Sequence, residues 1–257
     1  MAARPAARPA AAAGPAGTAD PANVALFAGL AKDWWDPNGP NRLLHRINPA
    51  RMAYIRDRAV AHFGRDPRAR QPLLGLRAID VGCGGGLVAE PLARMGAETS
   101  GLDAAGDSIA VARAHAAARG LAIDYHHGEI TALAEASPAA FDLATCLEVV
   151  EHVADRAAFL AALRRLLKPG GLLVFSTPNR TLASLLLVKV GAEYVTGDIP
   201  KGGHDWRRFL TPEEMTRALA AAGLRVDEIA GFSWSPATGF RVGGSPQVTY
   251  IGHATAI

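Results

Sequence analysis

Two stretches of this chain carry residue types and spacings that can do chemistry. The first is Ile79-Asp80-Val81-Gly82-Cys83-Gly84-Gly85-Gly86, an acid followed by closely spaced glycines. Glycines let a backbone turn sharply and let a ligand approach the main chain. About 20 positions further on, Gly101-Leu102-Asp103 supplies a carboxylate suited to accept hydrogen bonds from ribose hydroxyls. The second stretch is Glu148-Val149-Val150-Glu151-His152. In a helical turn, Glu148, Glu151 and His152 would share one face. Two carboxylates and an imidazole so placed can hold a divalent ion such as Mg²⁺. Alternatively His152, which titrates near neutrality, acts as a general base with Glu151 beside it. The plainer alternative is a pair of acids at a helix start with a packed histidine.

The glycine spacing discriminates between nucleotides. A dinucleotide fingerprint needs GxGxxG, and its third glycine would fall at Leu87. Here the pattern is GxGxG, preceded by Asp80. A pyrophosphate needs a helix N-terminus left open to anionic oxygens, whereas an acid beside the loop suits a ligand with cationic groups. S-adenosylmethionine, with its ammonium and sulfonium, fits better than a nicotinamide cofactor. A catalytic Tyr/Lys pair, expected of a nicotinamide oxidoreductase, is also missing.

These residues must be positioned by strands that end where the motifs begin. Strands are expected at Arg77–Val81, Glu98–Asp103, Ala122–His126, Phe141–Leu147 and Leu172–Ser176. Helices are expected from the glycine loop to about Met95, over Asp107–Arg119 and over Asp155–Leu167. The last of these carries Phe159, Leu160, Leu163, Leu166 and Leu167 on one apolar face and ends at Lys168-Pro169-Gly170-Gly171. Thr211-Pro212-Glu213-Glu214 has capping-box form, and Gly223 closes that helix. Two final strand-like segments lie around Leu224–Ile229 and Gln247–His253. The order predicts an α/β fold, a doubly wound, mostly parallel, Rossmann-like sheet with an antiparallel edge strand. Before it, helices are expected over Asn23–Trp35 and Pro49–Phe63, the second with Asn48 as N-cap and Pro49 in its first turn.

Composition sets the outer limits. The 257 residues are 49% hydrophobic and 20% charged, with a net charge of +3, ordinary for one globular domain. No basic cluster is interleaved with aromatics, so nucleic acid is not the expected partner. Two cysteines, Cys83 and Cys146, make neither a disulfide framework nor a cysteine zinc site and fit a reducing, cytoplasmic setting. No apolar run approaches the roughly 20 residues that span a bilayer, leaving at most contact with the inner face of a membrane. Residues 1–20, almost all Ala, Pro, Gly and Arg, read as a disordered low-complexity tail before a domain over residues 21–257.

With the motifs in order, the chain resembles the class I methyltransferases. His45-Arg46-Ile47-Asn48-Pro49-Ala50-Arg51, Glu148-Val149-Val150-Glu151-His152 and Ser176-Thr177-Pro178-Asn179-Arg180 narrow the likeness, as do Gly191-Ala192-Glu193-Tyr194 and Pro200-Lys201-Gly202-Gly203-His204-Asp205. Together they resemble the ubiquinone biosynthesis O-methyltransferase family over about Phe27 to Thr255. The resemblance implies S-adenosylmethionine as cofactor, with contacts at Arg51, Gly82, Asp103 and Leu147 in addition to the loop glycine Gly84. It implies a polyprenyl phenol or quinol as acceptor, and other ubiquinone-biosynthesis proteins as partners. Some eukaryotic relatives are thought to use Mg²⁺ at the positions of Glu148, Glu151 and His152. An acceptor-binding insertion is expected near 180–210. Within it, Leu182, Leu185, Leu186 and Val190 at helical spacing, with Lys189, Lys201, Arg207 and Arg208, are suited to an anionic membrane surface. The remaining alternatives are another small phenolic acceptor, or a non-catalytic cofactor-binding scaffold of the same assembly.

Overall fold

The computed structural model describes residues 17–186 and 205–257. Its helices are α1 (Pro21–Gly29), α2 (Arg42–His62), α3 (Ala89–Arg94), α4 (Gly106–Ala118), α5 (Ile130–Ala136), α6 (Arg156–Leu166), α7 (Leu182–Ser184) and α8 (Pro212–Ala221). Its strands are β1 (Arg77–Val81), β2 (Glu98–Asp103), β3 (Ile123–His127), β4 (Phe141–Leu147), β5 (Leu167–Pro178), β6 (Leu224–Ser235), β7 (Gly239–Gly244) and β8 (Thr249–Ala256). They form one sheet in the order β3-β2-β1-β4-β5-β8-β6-β7. Strands β3 to β5 in that order run parallel, and β8, β6 and β7 continue antiparallel. The expected architecture is therefore present, with an antiparallel end of three strands.

Side-chain alternation along the strands builds a core on each face. Along β5, Leu172 and Val174 pack with Ile55, Leu92 and Leu143, while Leu173 and Phe175 pack with Ile79, Leu163 and Tyr250. Strand order reverses between β1 and β4, and at such a switch point the carboxyl ends of the strands leave a crevice. Both chemical motifs lie there, one after β1 and one after β4.

Several elements depart from the pattern read locally. The expected helix over Asn23–Trp35 is α1 followed by a short 3₁₀ turn at Ala31–Asp33, because Trp34 and Trp35 fold back over the glycine loop. Helix α2 begins at Arg42 rather than Pro49, so Pro49 lies inside it and Asn48 is no cap. The missing proline N–H is tolerated because packing fixes the helix. Ile47 and Arg51 are buried, and Asn48 Nδ2 donates to Leu87 O at 2.8 Å. After the glycine loop the chain turns irregularly through Val88 before α3 begins. Helix α5 was not legible in the sequence. The Lys168-Pro169-Gly170-Gly171 segment belongs to β5, where a register shift opposite β4 absorbs it. Strand β7 pairs with an extended β6 across Ser235-Pro236-Ala237-Thr238-Gly239.

The last residues of the expected tail pack against the domain. Thr18 is buried, its N–H and hydroxyl each donate to Glu129 Oε2 at 2.9 Å, and Ala19 bridges to Val153. Among the described residues, no helix is long and apolar enough to cross a membrane.

Candidate functional site

The glycine loop is shaped by what presses on it. Gly82 and Gly84 have φ of +74° and +50°, a region that suits glycine. A Cβ at Gly82 would run into Val149, and one at Gly84 or Gly85 into the Trp34 indole. Asp103 fixes the loop from the next strand. Its Oδ2 accepts from Gly84 N and its Oδ1 from Ala105 N, each at 2.8 Å. A carboxylate offers about four lone-pair positions, so two backbone donors leave room for two hydroxyls. Burial raises the Asp103 carboxyl above the ordinary value. Beneath the loop, burial pushes the Asp80 carboxyl up to about 7 despite a 2.6 Å hydrogen bond from Thr145 Oγ1.

The helical extension closes the other side. Trp35 Nε1 donates to Gly85 O at 3.0 Å, and its ring stacks on His115 at 3.6 Å. Arg51 is buried, and its Nη2 donates to Glu148 Oε1 at 3.0 Å. The cleft so enclosed measures about 290 Å³, and Arg51, Asp80, Gly82, Gly84, Asp103, Leu147, Glu148 and His152 all line it. Three buried polar atoms of its lining, Trp34 Nε1, Arg51 Nε and Ser108 Oγ, have no hydrogen-bond partner among the described residues. Buried polar groups are normally paired, so this lining fits a polar ligand with acceptor groups.

The turn after β4 is built differently from the expected helix face. Glu148 has φ +56° and stands outside the 3₁₀ turn Val150–His152. Its Oε1 also accepts from Ser176 Oγ at 2.8 Å. Glu151 is buried behind the cleft, with Thr177 Oγ1 donating to its Oε2 at 3.0 Å and its Oε1 without a hydrogen-bond partner among the described residues. Burial, then the nearby Glu148 charge, push the Glu151 carboxyl up to about 8. His152 Nε2 lies 3.9 Å from Glu151 Oε1, too far for a hydrogen bond. Glu148, Glu151 and His152 thus do not present a common face, and no group of three or more His, Cys, Asp or Glu among the described residues is disposed to hold a metal ion. The motif positions Gly191 to Tyr194 and Pro200 to His204 lie outside the described residues.

With this geometry in view, comparison with known proteins decides the family. A family model described as a methyltransferase domain matches residues 79–175. A ubiquinone biosynthesis O-methyltransferase from Methylobacterium sp. (strain 4-46) is 49% identical over 220 residues, covering 86% of this chain and 88% of the relative. One from Azorhizobium caulinodans is 46% identical over 235 residues, covering 91% and 92%. The chain belongs to the ubiquinone biosynthesis O-methyltransferase family. The fold extends further. A magnesium protoporphyrin IX methyltransferase from Synechocystis, solved with bound SAH, superposes with a TM-score of 0.61 at 21% identity, covering 91% of this chain and 96% of that one.

In this family member, sequence reasoning missed Glu129 and Thr18. Glu129 follows β3, lines the cleft and is held by Thr18. A glutamate after Gly128 was the only local sign of it, and its partner lies 111 residues away.

The raised carboxyls have a consequence for stability. Burial pushes the Asp80 and Glu151 carboxyls up to about 7 and about 8 in the folded protein, well above the usual carboxylate range of about 4. Across that window the folded protein keeps protons that the unfolded chain has released, so stability falls as pH rises. Denaturation midpoints should fall by several degrees between pH 5.5 and 8.5, with a shallower slope for Asp80→Asn. Equal slopes would rule out Asp80 as a contributor.

Proposed function

We propose that this chain transfers a methyl group from S-adenosylmethionine to a phenolic oxygen of a polyprenylated catechol or quinol in ubiquinone biosynthesis. The observation that carries the reading is the Asp103–Gly84 clamp at the switch point, within a chain of this family. When bound, the cofactor supplies an activated methyl group. The chain's own residues bind, orient and move a proton. Asp103 has lone pairs for the ribose hydroxyls. Arg51 Nε, buried without a partner among the described residues, suits the carboxylate end. Asp80 beneath the loop suits the ammonium, and Leu147 gives an apolar wall to the adenosyl group.

On the acceptor side, His152 lines the cleft and acts as the base, with the buried Glu151 carboxyl 3.9 Å from its Nε2 as the nearby acid. Holding an acceptor oxygen in line with the methyl carbon can supply up to roughly 7–11 kcal/mol in favourable cases, and general-base assistance about 10²–10⁴-fold in rate. Glu148, Glu151 and His152 do not converge as a metal-binding group among the described residues, which leaves the base role to His152. A radiolabelled-methyl assay with a demethylated quinol tests the reading. Wild type should label the quinol in the presence of chelator. His152→Ala should lower kcat about a hundredfold with cofactor affinity retained. No labelling by the folded protein would refute the activity, and full rate in the variant would refute the base.

The acceptor is expected to reside in a bilayer, and we infer that the chain reaches it from the membrane surface. Leu182 and Leu186, one helical turn apart at the exit of β5, are exposed, and Leu185 between them is half-buried. Leu187 to Val195 lie outside the described residues. Sedimentation with anionic vesicles at low salt should carry the wild-type protein down, and Leu182→Ser with Leu186→Ser should weaken this severalfold. A wild-type chain left in the supernatant would contradict surface contact.

A further inference from the structure

Helix α2 changes character along the face that lines the cleft. Leu43, Ile47 and Arg51 follow one another at steps of four residues, passing from apolar to cationic over about 12 Å of helix. Leu44 widens the apolar part, and Val24 and Leu30 line it from the segment around α1. Ile47 is buried, and the other four are half-buried. None of these five side chains belongs to the three apolar clusters of the described residues. They line the cleft outside those clusters of the described residues. Contiguous apolar surface of this kind marks a binding site.

Its position says what would fill it. The inner end of the apolar wall meets the acceptor side. Arg51 contacts Glu148 there, and Asn23 Nδ2 donates to His152 O at 3.4 Å, bringing α1 beside the same turn. The ribose-binding group Asp103, and Glu129 after β3, stand at the ends of β2 and β3 instead. A ring seated beside His152 and Glu148 would direct a substituent along Ile47 and Leu44 towards that gap.

We propose that the groove between α1 and α2, walled by Leu43, Leu44 and Ile47, is the subsite for the acceptor's polyprenyl tail. The proposal rests on the functional reading above and adds the path of the tail to it. Binding there selects for a long apolar substituent, because each isoprenoid carbon removed from water contributes to affinity.

The test compares two acceptors with the same quinol head, one bearing a polyprenyl chain and one bearing a methyl group in its place. Leu44→Gln makes the wall polar, and Leu44→Phe keeps it apolar but fills it. Since Leu44 is outside the core clusters, both variants should fold, and thermal melting checks this. In wild type, kcat/KM for the tailed acceptor should exceed that for the tailless one by about tenfold or more, and both variants should lower that ratio at least fivefold. Calorimetry with S-adenosylhomocysteine present reads the same preference as a ratio of Kd values without turnover. A preference undiminished in both variants, or absent from wild type, would overturn the groove. A binding preference that the variants abolish, in a protein that labels neither acceptor, would support the groove and overturn the methyl-transfer reading instead.

Discussion

An ion pair, Arg51 Nη2 to Glu148 Oε1 at 3.0 Å, ties the helical extension to the turn after β4. The two side chains are 7% and 18% exposed, so losing either partner would strand a charge at a cost of about 3–5 kcal/mol. Glu148 reaches this position with a left-handed backbone, which costs a non-glycine residue about 1–3 kcal/mol. Hydrogen bonds from Arg51 and Ser176 to its side chain, and from its own N–H to Ser176 O, offset that cost. The consequence is geometric. The pair holds helix α2 on the cleft with Asn48 Nδ2 bonded to Leu87 O and with Ile47 and Leu44 lining the cleft.

The site follows from that placement. One wall is made by strand ends, where Asp103 clamps the loop that follows β1. The opposite wall is made by residues that come before the sheet in sequence, Trp34, Trp35 and the cleft-facing side of α2. Neither wall encloses the cleft alone. The post-β4 turn joins them, and two adjacent hydroxyls of β5 hold its acids. Ser176 holds Glu148, which lines the cleft, and Thr177 holds Glu151 behind it.

The parallel half of the fold was legible because its signals are local. β2 and β4 have the bounds that their apolar runs and flanking turns imply, and Thr211 caps α8 with the expected Glu214 partner. The glycine loop and its tie to Asp103 follow from local signals too, since both stand at strand ends. What failed depends on contacts distant in sequence. Pro49 lies within α2 because packing against the loop 39 residues away outweighs one lost hydrogen bond. Strand β7 forms because β6 is available to pair with it, although Gly239, Gly243 and Gly244 give it weak strand character. The shared face expected of Glu148, Glu151 and His152 assumed a helix, and the left-handed Glu148 turns its side chain to Arg51 and Ser176 instead.

If the Arg51–Glu148 pair organises the site, the two side chains must act as one unit in cofactor binding. A double-mutant cycle with Arg51→Met and Glu148→Gln, read as S-adenosylmethionine Kd by calorimetry, measures this directly. The account predicts a coupling energy above about 1 kcal/mol, with the double variant binding no more weakly than the worse single variant. Independent losses that add within about 0.3–0.5 kcal/mol would contradict it.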